Sequence, residues 1–369
     1  MTSRRLVVDR FAESSEDALK SALHLKACLP PDTGRLGPTD VVVAVKSAAV
    51  AWIDAMMLSG QYHHRPPLPF TPGMEYAGEI EWTGAGIDPS VIRVGDLMMN
   101  DYMQAGPRSS GSYAANGGWA SHAIAPASAL LPVPPGMDCD EACNFLLNYE
   151  TSHYALIKRA RLQPGETILI NGASGAAGMA AVQTSKLLGA NVIGIGRSND
   201  KLALVKAAGA DHVINIAPKP GTVGTPKFRD DVKALTGGRG ADVVFDTVGG
   251  AISLECMRAL AFGGRQIIVG WAENHSVGSG GGRGGSANAN HLPTNIMQMK
   301  CLSVMGSPMV IAGGKYPAMR AERLEEIQRW YAEGKIKPYV SHRFPLSSYR
   351  EAIHSRLSGD VTGGCVLNP

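Results

Sequence analysis

The chain has 369 residues, 44 of them glycine, with aromatic residues at 6% and a formal net charge of only +3. That length exceeds what one hydrophobic core usually serves and suits two domains, while the small charge argues against a polyanion-binding surface. No apolar run approaches the roughly 20 residues of a membrane span and no secretory leader pattern opens the chain, so a cytoplasmic protein with reduced thiols is expected.

Residues 1–150 are β-rich and broken by Pro and Gly. Strands are predicted at 40–45, 76–82 and 119–124, from apolar and β-branched runs bounded by turn residues. A helical stretch over 140–160 links this region to a second one, in which strands (167–170, 191–195, 212–216, 242–246, 266–270, 302–305) alternate with helices. Alternation of this kind predicts a doubly wound parallel sheet, a Rossmann-like α/β fold. The domain boundaries expected are 1–150, 151–309 and a return segment, 310–369, that completes the first domain and carries a helix at 320–333. The glycine-rich stretch 278–285 reads either as a surface insertion or as a lid at the carboxyl edge of the sheet.

The densest signal is Thr167-Ile-Leu-Ile-Asn-Gly-Ala-Ser-Gly-Ala-Ala-Gly178. A short buried-type strand runs into Gly172, Gly175 and Gly178, and a helix follows over 179–188, stopped by Gly189. Either this is an ordinary tight turn or it is a dinucleotide cradle, in which glycines let the backbone approach a pyrophosphate at a helix N-terminus. The next strand favours the cradle. It ends in Gly196-Arg-Ser-Asn-Asp-Lys201, where an NAD site would place an acidic residue for the ribose. Gly196 leaves room for a 2′-phosphate, and Arg197, Ser198 and Lys201 offer donors, so NADPH is the expected cofactor. Asp200 reads either as a ribose acceptor or as a cap for the following helix.

With these residues in view, the chain resembles the medium-chain dehydrogenase/reductase superfamily, in its zinc-independent quinone oxidoreductase and enoyl reductase branch. The resemblance rests on Pro69-Phe-Thr-Pro-Gly-Met-Glu-Tyr-Ala-Gly78, Val94-Gly-Asp96, Gly117-Gly-Trp-Ala120, the Gly172 cradle, Ala207-Ala-Gly-Ala-Asp211, Asp246-Thr-Val-Gly-Gly250, Gly263-Gly-Arg265 and a late Asn295…Lys300…Gly306 segment. It implies a GroES-like catalytic domain beside the Rossmann domain and a homodimer, with no nucleic-acid or membrane partner. Cofactor contacts are implied at Gly172, Ser174, Gly175, Ala176, Ala177, Gly178, Gly196, Arg197, Ser198, Lys201, Val248, Gly270 and Asn295. Zinc relatives carry Gly-His-Glu where this chain has Gly73-Met74-Glu75, and their catalytic cysteine is also missing, so no metal is expected and Glu75 reads as a structural acid.

Without a metal to stabilise an alkoxide, conjugate reduction is the favoured chemistry, because hydride addition to an enone or quinone spreads charge into an enolate. The expected substrate is a small electrophile of that kind. A 2-enoyl thioester of coenzyme A or a carrier protein is the alternative, and a non-catalytic NADPH-binding protein a third reading. Tyr62 matches the tyrosine that the branch places after a Gly-x-Tyr turn, and reads as proton donor or as packing. Asp54, which matches the family's Asn-x-x-Asp motif with Ala51 replacing the Asn, and Thr151, expected near the nicotinamide, join Tyr62 as the catalytic residues that the resemblance implies. Trp52, Tyr62, Arg65 and Tyr154 are the expected substrate contacts. His63, His64 and Arg65 read either as a solvated basic turn or as a contact to an anionic substrate group.

Overall fold

A computed structural model describes residues 3–62, 64–218, 224–272 and 291–369. His63 and the 278–285 stretch lie outside these residues. The described chain forms two compact units, one from residues up to Leu147 together with Pro338–Pro369, the other from Asn148 onward through Lys337.

The first unit is built on the long strand Asp40–Ala49, whose Val-rich sequence suits a pleated, buried position. It pairs antiparallel with Tyr76–Thr83, His122–Pro126 and Gly364–Asn368. Tyr76–Thr83 extends the sheet to Leu97–Asn100 and Leu130–Pro132, and Val340–Pro345 lies parallel to Gly364–Asn368. The strand expected at 119–124 begins only at His122. Trp119, fully buried, is instead used as an anchor, its indole N–H donating to the Ala49 carbonyl at 2.8 Å.

The second unit is a six-stranded parallel sheet: Thr167–Asn171, Asn191–Gly196, His212–Asn215, Ala241–Asp246, Leu260–Ile268 and Ser303–Gly306. Numbered in chain order, these strands lie in the spatial order 3-2-1-4-5-6, the doubly wound arrangement. Side-chain alternation sends Ile168, Ile170, Val243 and Phe245 to one buried face, and Leu169, Ile193, Ile195 and Val244 to the other. Both faces are covered, as a parallel sheet requires.

Two expectations are corrected here. The linker helix is broken: Cys139–Ala142, then Leu146–His153, then a wide π-type turn through Tyr154–Ala160 that ends at Arg161 with φ 50°. The late helix, Pro317–Ala332, belongs to the second unit, so the return to the first begins at Pro338 rather than at 310. The cause is electrostatic. Arg320 and Arg323 both reach the buried Glu150 carboxylate, at 2.9 and 3.0 Å, which ties the helix to the stretch after Asn148. A buried carboxylate needs partners of this kind to offset its desolvation. Among the described residues, no helix is long and apolar enough to cross a membrane.

Candidate active site

In the second unit the strand Thr167–Asn171 delivers the chain into Gly172, whose φ is +74°, a conformation that glycine adopts freely. Space demands glycine as well: a Cβ on Gly172 would come within 2.4 Å of Thr247 Oγ1, and one on Gly178 within 2.1 Å of the Gly172 carbonyl oxygen. The Gly175 amide closes the turn on that same carbonyl at 3.0 Å. The helix begins at Ala176, three residues earlier than expected, with Gly175 as an N-cap that offers no side chain. The first-turn amides of Ala176, Ala177 and Gly178 are therefore not capped by a side chain, beside a half-buried Ser174. A twelve-residue helix with such a terminus presents a positive dipole end and donors to an anion.

The floor of this turn is held by a buried polar network that the strand pattern does not reveal. Asp246 Oδ1 accepts from Asn171 Nδ2 at 2.8 Å and from the Val248 and Gly249 amides at 3.1 Å, while its other oxygen accepts from Gln266. Thr247 Oγ1 donates to the Asn171 carbonyl at 2.9 Å. Val248 and Gly270, both half-buried, thus stand at the carboxyl ends of adjacent strands.

At the end of the second strand, Gly196 and Ser198 are half-buried and Arg197 is exposed. Ser198 caps the next helix, its hydroxyl accepting from the Lys201 amide, so the capping role goes to Ser198 and not to Asp200, which sits exposed in the first turn. Among the described residues Arg197 has no ion-pair partner. The late segment divides: Asn295 is exposed in the helix Thr294–Met299, whereas Lys300 Nζ binds the carbonyls of Arg258 and Leu260. Leu260 opens its strand, so Lys300 caps the amino edge of the sheet, the edge opposite the glycine turn.

In the first unit Asp54 lies in the helix Trp52–Leu58, which Trp52 opens, half-buried. The Asp54 carboxylate is fully buried and accepts from the Ala51 and Met74 amides, each at 2.9 Å. Burial pushes its pKa up to about 6, against the pull of the Ala51, Met74 and Gly73 amides and of Arg356. Its oxygens are spent on backbone, so Asp54 is a strut that fixes the Gly73-Met74 turn, and the catalytic role expected of it gives way to positioning. Asn100 secures the same turn from the other side, donating to the carbonyls of Met74 and Ala105 and accepting from the Tyr76 amide at 2.7 Å. Glu75 accepts from the Leu147 amide at 2.9 Å, consistent with its reading as a structural acid.

Tyr62 follows this helix and is half-buried. Burial raises its phenol pKa, opposed by the charge and hydrogen bond of Arg108, with Asp54 raising it further. Arg108 was missed by sequence reasoning, and no motif marks it. The turn Gly106-Pro107-Arg108-Ser109 presents it, closed by the Ser109 amide on the Gly106 carbonyl at 2.9 Å, with Pro at the position that favours such turns. His64 packs at the same place, its pKa lowered by burial and by Arg108. Arg65 is exposed; its Nε donates to the Gly60 carbonyl at 2.7 Å and its guanidinium lies over the Phe11 ring.

Of the two remaining expected contacts, both in the second unit, Thr151 is half-buried on Leu146–His153, whereas Tyr154 is buried with Arg323 over its ring at 5.6 Å. The Tyr154 ring thus packs against the Arg323 guanidinium. Cys143 Sγ contacts the Ser47 hydroxyl, Asp54 and Glu75 serve backbone amides, and among the described residues no group of three His, Cys, Asp or Glu could hold a metal ion.

Comparison with known proteins places both units. The family description "Alcohol dehydrogenase GroES-like domain" matches residues 37–135, and "Zinc-binding dehydrogenase" matches residues 176–321. The chain is 31% identical over 338 residues to the quinone oxidoreductase-like protein 2 homolog of Nematostella vectensis, a match that covers 91% of this chain and 83% of that protein. Among solved structures, a probable oxidoreductase from Mycobacterium abscessus is 29% identical with a TM-score of 0.76, covering 100% of this chain and 99% of that one. Escherichia coli quinone oxidoreductase, solved in complex with NADPH, has a TM-score of 0.76 at 24% identity over 99% of this chain and 100% of that one, and shows the shared fold.

Proposed function

The chain belongs to the medium-chain dehydrogenase/reductase family, in its quinone oxidoreductase branch, and from that premise we propose that it is an NADPH-dependent reductase of activated double bonds. The substrate class is a quinone, an enone or a similar α,β-unsaturated carbonyl compound. NADPH, when bound, supplies the hydride. The observation that carries the reading is the Tyr62 phenol, held by Arg108.

Each residue then has a task its environment suits. The first-turn amides of Ala176, Ala177 and Gly178 and the helix dipole hold the pyrophosphate, and the glycines keep the approach open. Arg197 and Lys201 receive the 2′-phosphate. Tyr62 keeps its proton at neutral pH, as a phenol of ordinary pKa about 10 does and as burial further favours, yet it can release that proton to the far more basic carbon of an enolate. Asp54 holds the Gly73-Met74 turn, and Asn100 ties that turn to Ala105 in the loop that carries Arg108.

The test is NADPH oxidation by a simple enone in wild type and Tyr62→Phe. Phe is expected to lower kcat/KM on the order of a hundredfold, the usual size of one proton-transfer contribution, with NADPH affinity unchanged. Unchanged turnover would remove Tyr62 from the mechanism. A 2-enoyl thioester is the second reading, favoured by the exposed Arg65 three residues beyond Tyr62, a cation available to a coenzyme A phosphate. Saturation of crotonyl-coenzyme A, set against 1,4-benzoquinone reduction, separates the two.

A further inference from the structure

The guanidinium of Arg108 is a half-buried cation without a counter-charge. Among the described residues no carboxylate pairs with it, and its Nε is buried without a hydrogen-bond partner. The groups that face it are a phenol and an imidazole, Tyr62 and His64. Asp54, whose charge Tyr62 feels, has its oxygens committed to backbone amides. A half-buried guanidinium whose Nε has no partner keeps capacity for an anion, and Arg presents donors in a planar fork that matches a carboxylate.

The loop that carries Arg108 is built rather than slack. Asp101 accepts from the Met103 amide at 2.9 Å and from Gln104 Nε2 at 2.8 Å, and its carbonyl accepts from the Gln104 and Ala105 amides. Asn100 ties Ala105 to Met74, and Ser109 Oγ donates to the Gly106 carbonyl at 2.8 Å. So much hydrogen bonding spent on one short loop holds the guanidinium at a fixed place beside Tyr62.

We infer that Arg108 is a specificity-determining residue that receives a carboxylate of the substrate, so that this protein favours α,β-unsaturated carbonyl compounds that also carry a carboxylate. The inference rests on the hydride-acceptor reading above and deepens it. With the carboxylate on Arg108, the substrate would be oriented from its anionic end, with its reacting end turned toward the Tyr62 phenol.

The experiment compares 4-oxopent-2-enoate with its neutral counterpart pent-3-en-2-one, in wild type, Arg108→Met and Arg108→Lys. Wild type is expected to favour the acid at least tenfold in kcat/KM. Arg108→Met should lower kcat/KM on the acid about a hundredfold further than on the neutral enone, mostly in KM, with any loss common to both substrates reporting the contact with Tyr62; Arg108→Lys, which keeps the charge without the fork, should fall between. Equal losses on both substrates, or no preference in wild type, overturn the inference and leave Arg108 as a support for Tyr62. A binding arm needs no turnover: 4-oxopentanoate should raise the Tm of wild type, and that of Arg108→Met not at all, while pentan-2-one shifts neither. Absence of the wild-type shift overturns the inference. Binding of 4-oxopentanoate by a protein that reduces neither enone would instead defeat the hydride-acceptor reading alone.

Discussion

The two candidate sites are built by opposite means. The glycine turn of the second unit is made by removing side chains: Gly175 and Gly178 pack against the Gly172 carbonyl and Gly172 against Thr247, with contacts that a Cβ would close to as little as 2.1 Å. The Tyr62 region of the first unit is made by adding them. Asp54, Asn100 and Arg356 reach across from other segments, with Arg356 Nε donating to the Val50 carbonyl at 2.8 Å, and hold irregular backbone in place. A site made of backbone binds what every dinucleotide shares, whereas a site made of side chains can vary with the substrate. The two should therefore fail separately when mutated.

The largest effect is expected at Gly178. Valine there must displace the Gly172 carbonyl, so Gly178→Val should cost about 3 kcal/mol or more in stability and abolish the thermal protection given by NADPH. Retained protection would mean that the turn is not where the cofactor binds.

Asp54→Ala comes next, because it leaves the Ala51 and Met74 amides unpaired in a buried place. A loss of about 2–3 kcal/mol is expected in denaturant unfolding, with NADPH affinity intact. A tenfold fall in NADPH affinity would break the separation between the two regions. The same residue gives a pH signature. Its folded pKa, about 6, lies above the unfolded carboxylate value near 3.9, so the folded form holds the proton more tightly. Its contribution is fully present below about pH 4 and is lost as pH rises through 6. Between pH 7 and 5 wild type should thus gain on the order of 1 kcal/mol from this group, and Asp54→Asn should lack that gain. An identical pH profile in both proteins would reject the assignment.

Replacing Arg197 and Lys201 together by Ala should weaken NADPH roughly ten- to hundredfold and NADH little, about 1–3 kcal/mol of cofactor discrimination. Equal losses for both cofactors would defeat the 2′-phosphate assignment. The smallest effect is expected at Tyr76, whose hydroxyl is buried and has no hydrogen-bond partner among the described residues. Tyr76→Phe removes an unpaired polar atom and should leave stability unchanged or raise it by up to about 1 kcal/mol. A clear loss would reveal a partner for that hydroxyl.

Much of the second unit could be read in the sequence because its information is local. Strand-turn-helix periodicity lies within a window of about twenty residues, and the glycines at 172 and 178 are demanded by the turn itself. The expected order of six alternating strands follows from the same local signals with the handedness of βαβ connections, and the parallel sheet has it. The resemblance to the dehydrogenase family likewise rested on such short runs.

What the tertiary structure decided concerns side chains that meet across long separations. Asp54 looked catalytic by motif, and only its amide partners at Ala51 and Met74 show it to be a strut. Lys300 matched the motif of a cofactor-closing segment, yet its bonds to Arg258 and Leu260 put it at the other edge of the sheet. The helix Pro317–Ala332 changed units because Arg320 and Arg323 found Glu150. Arg108 had no signature at all; it matters because a turn distant in sequence brings it to Tyr62. By itself the sequence determined the fold and the cradle, since backbone conformation is dictated by near neighbours. The tertiary structure decided which charges are paired and which, such as that of Arg108, are not, since pairing depends on three-dimensional proximity that no short window encodes.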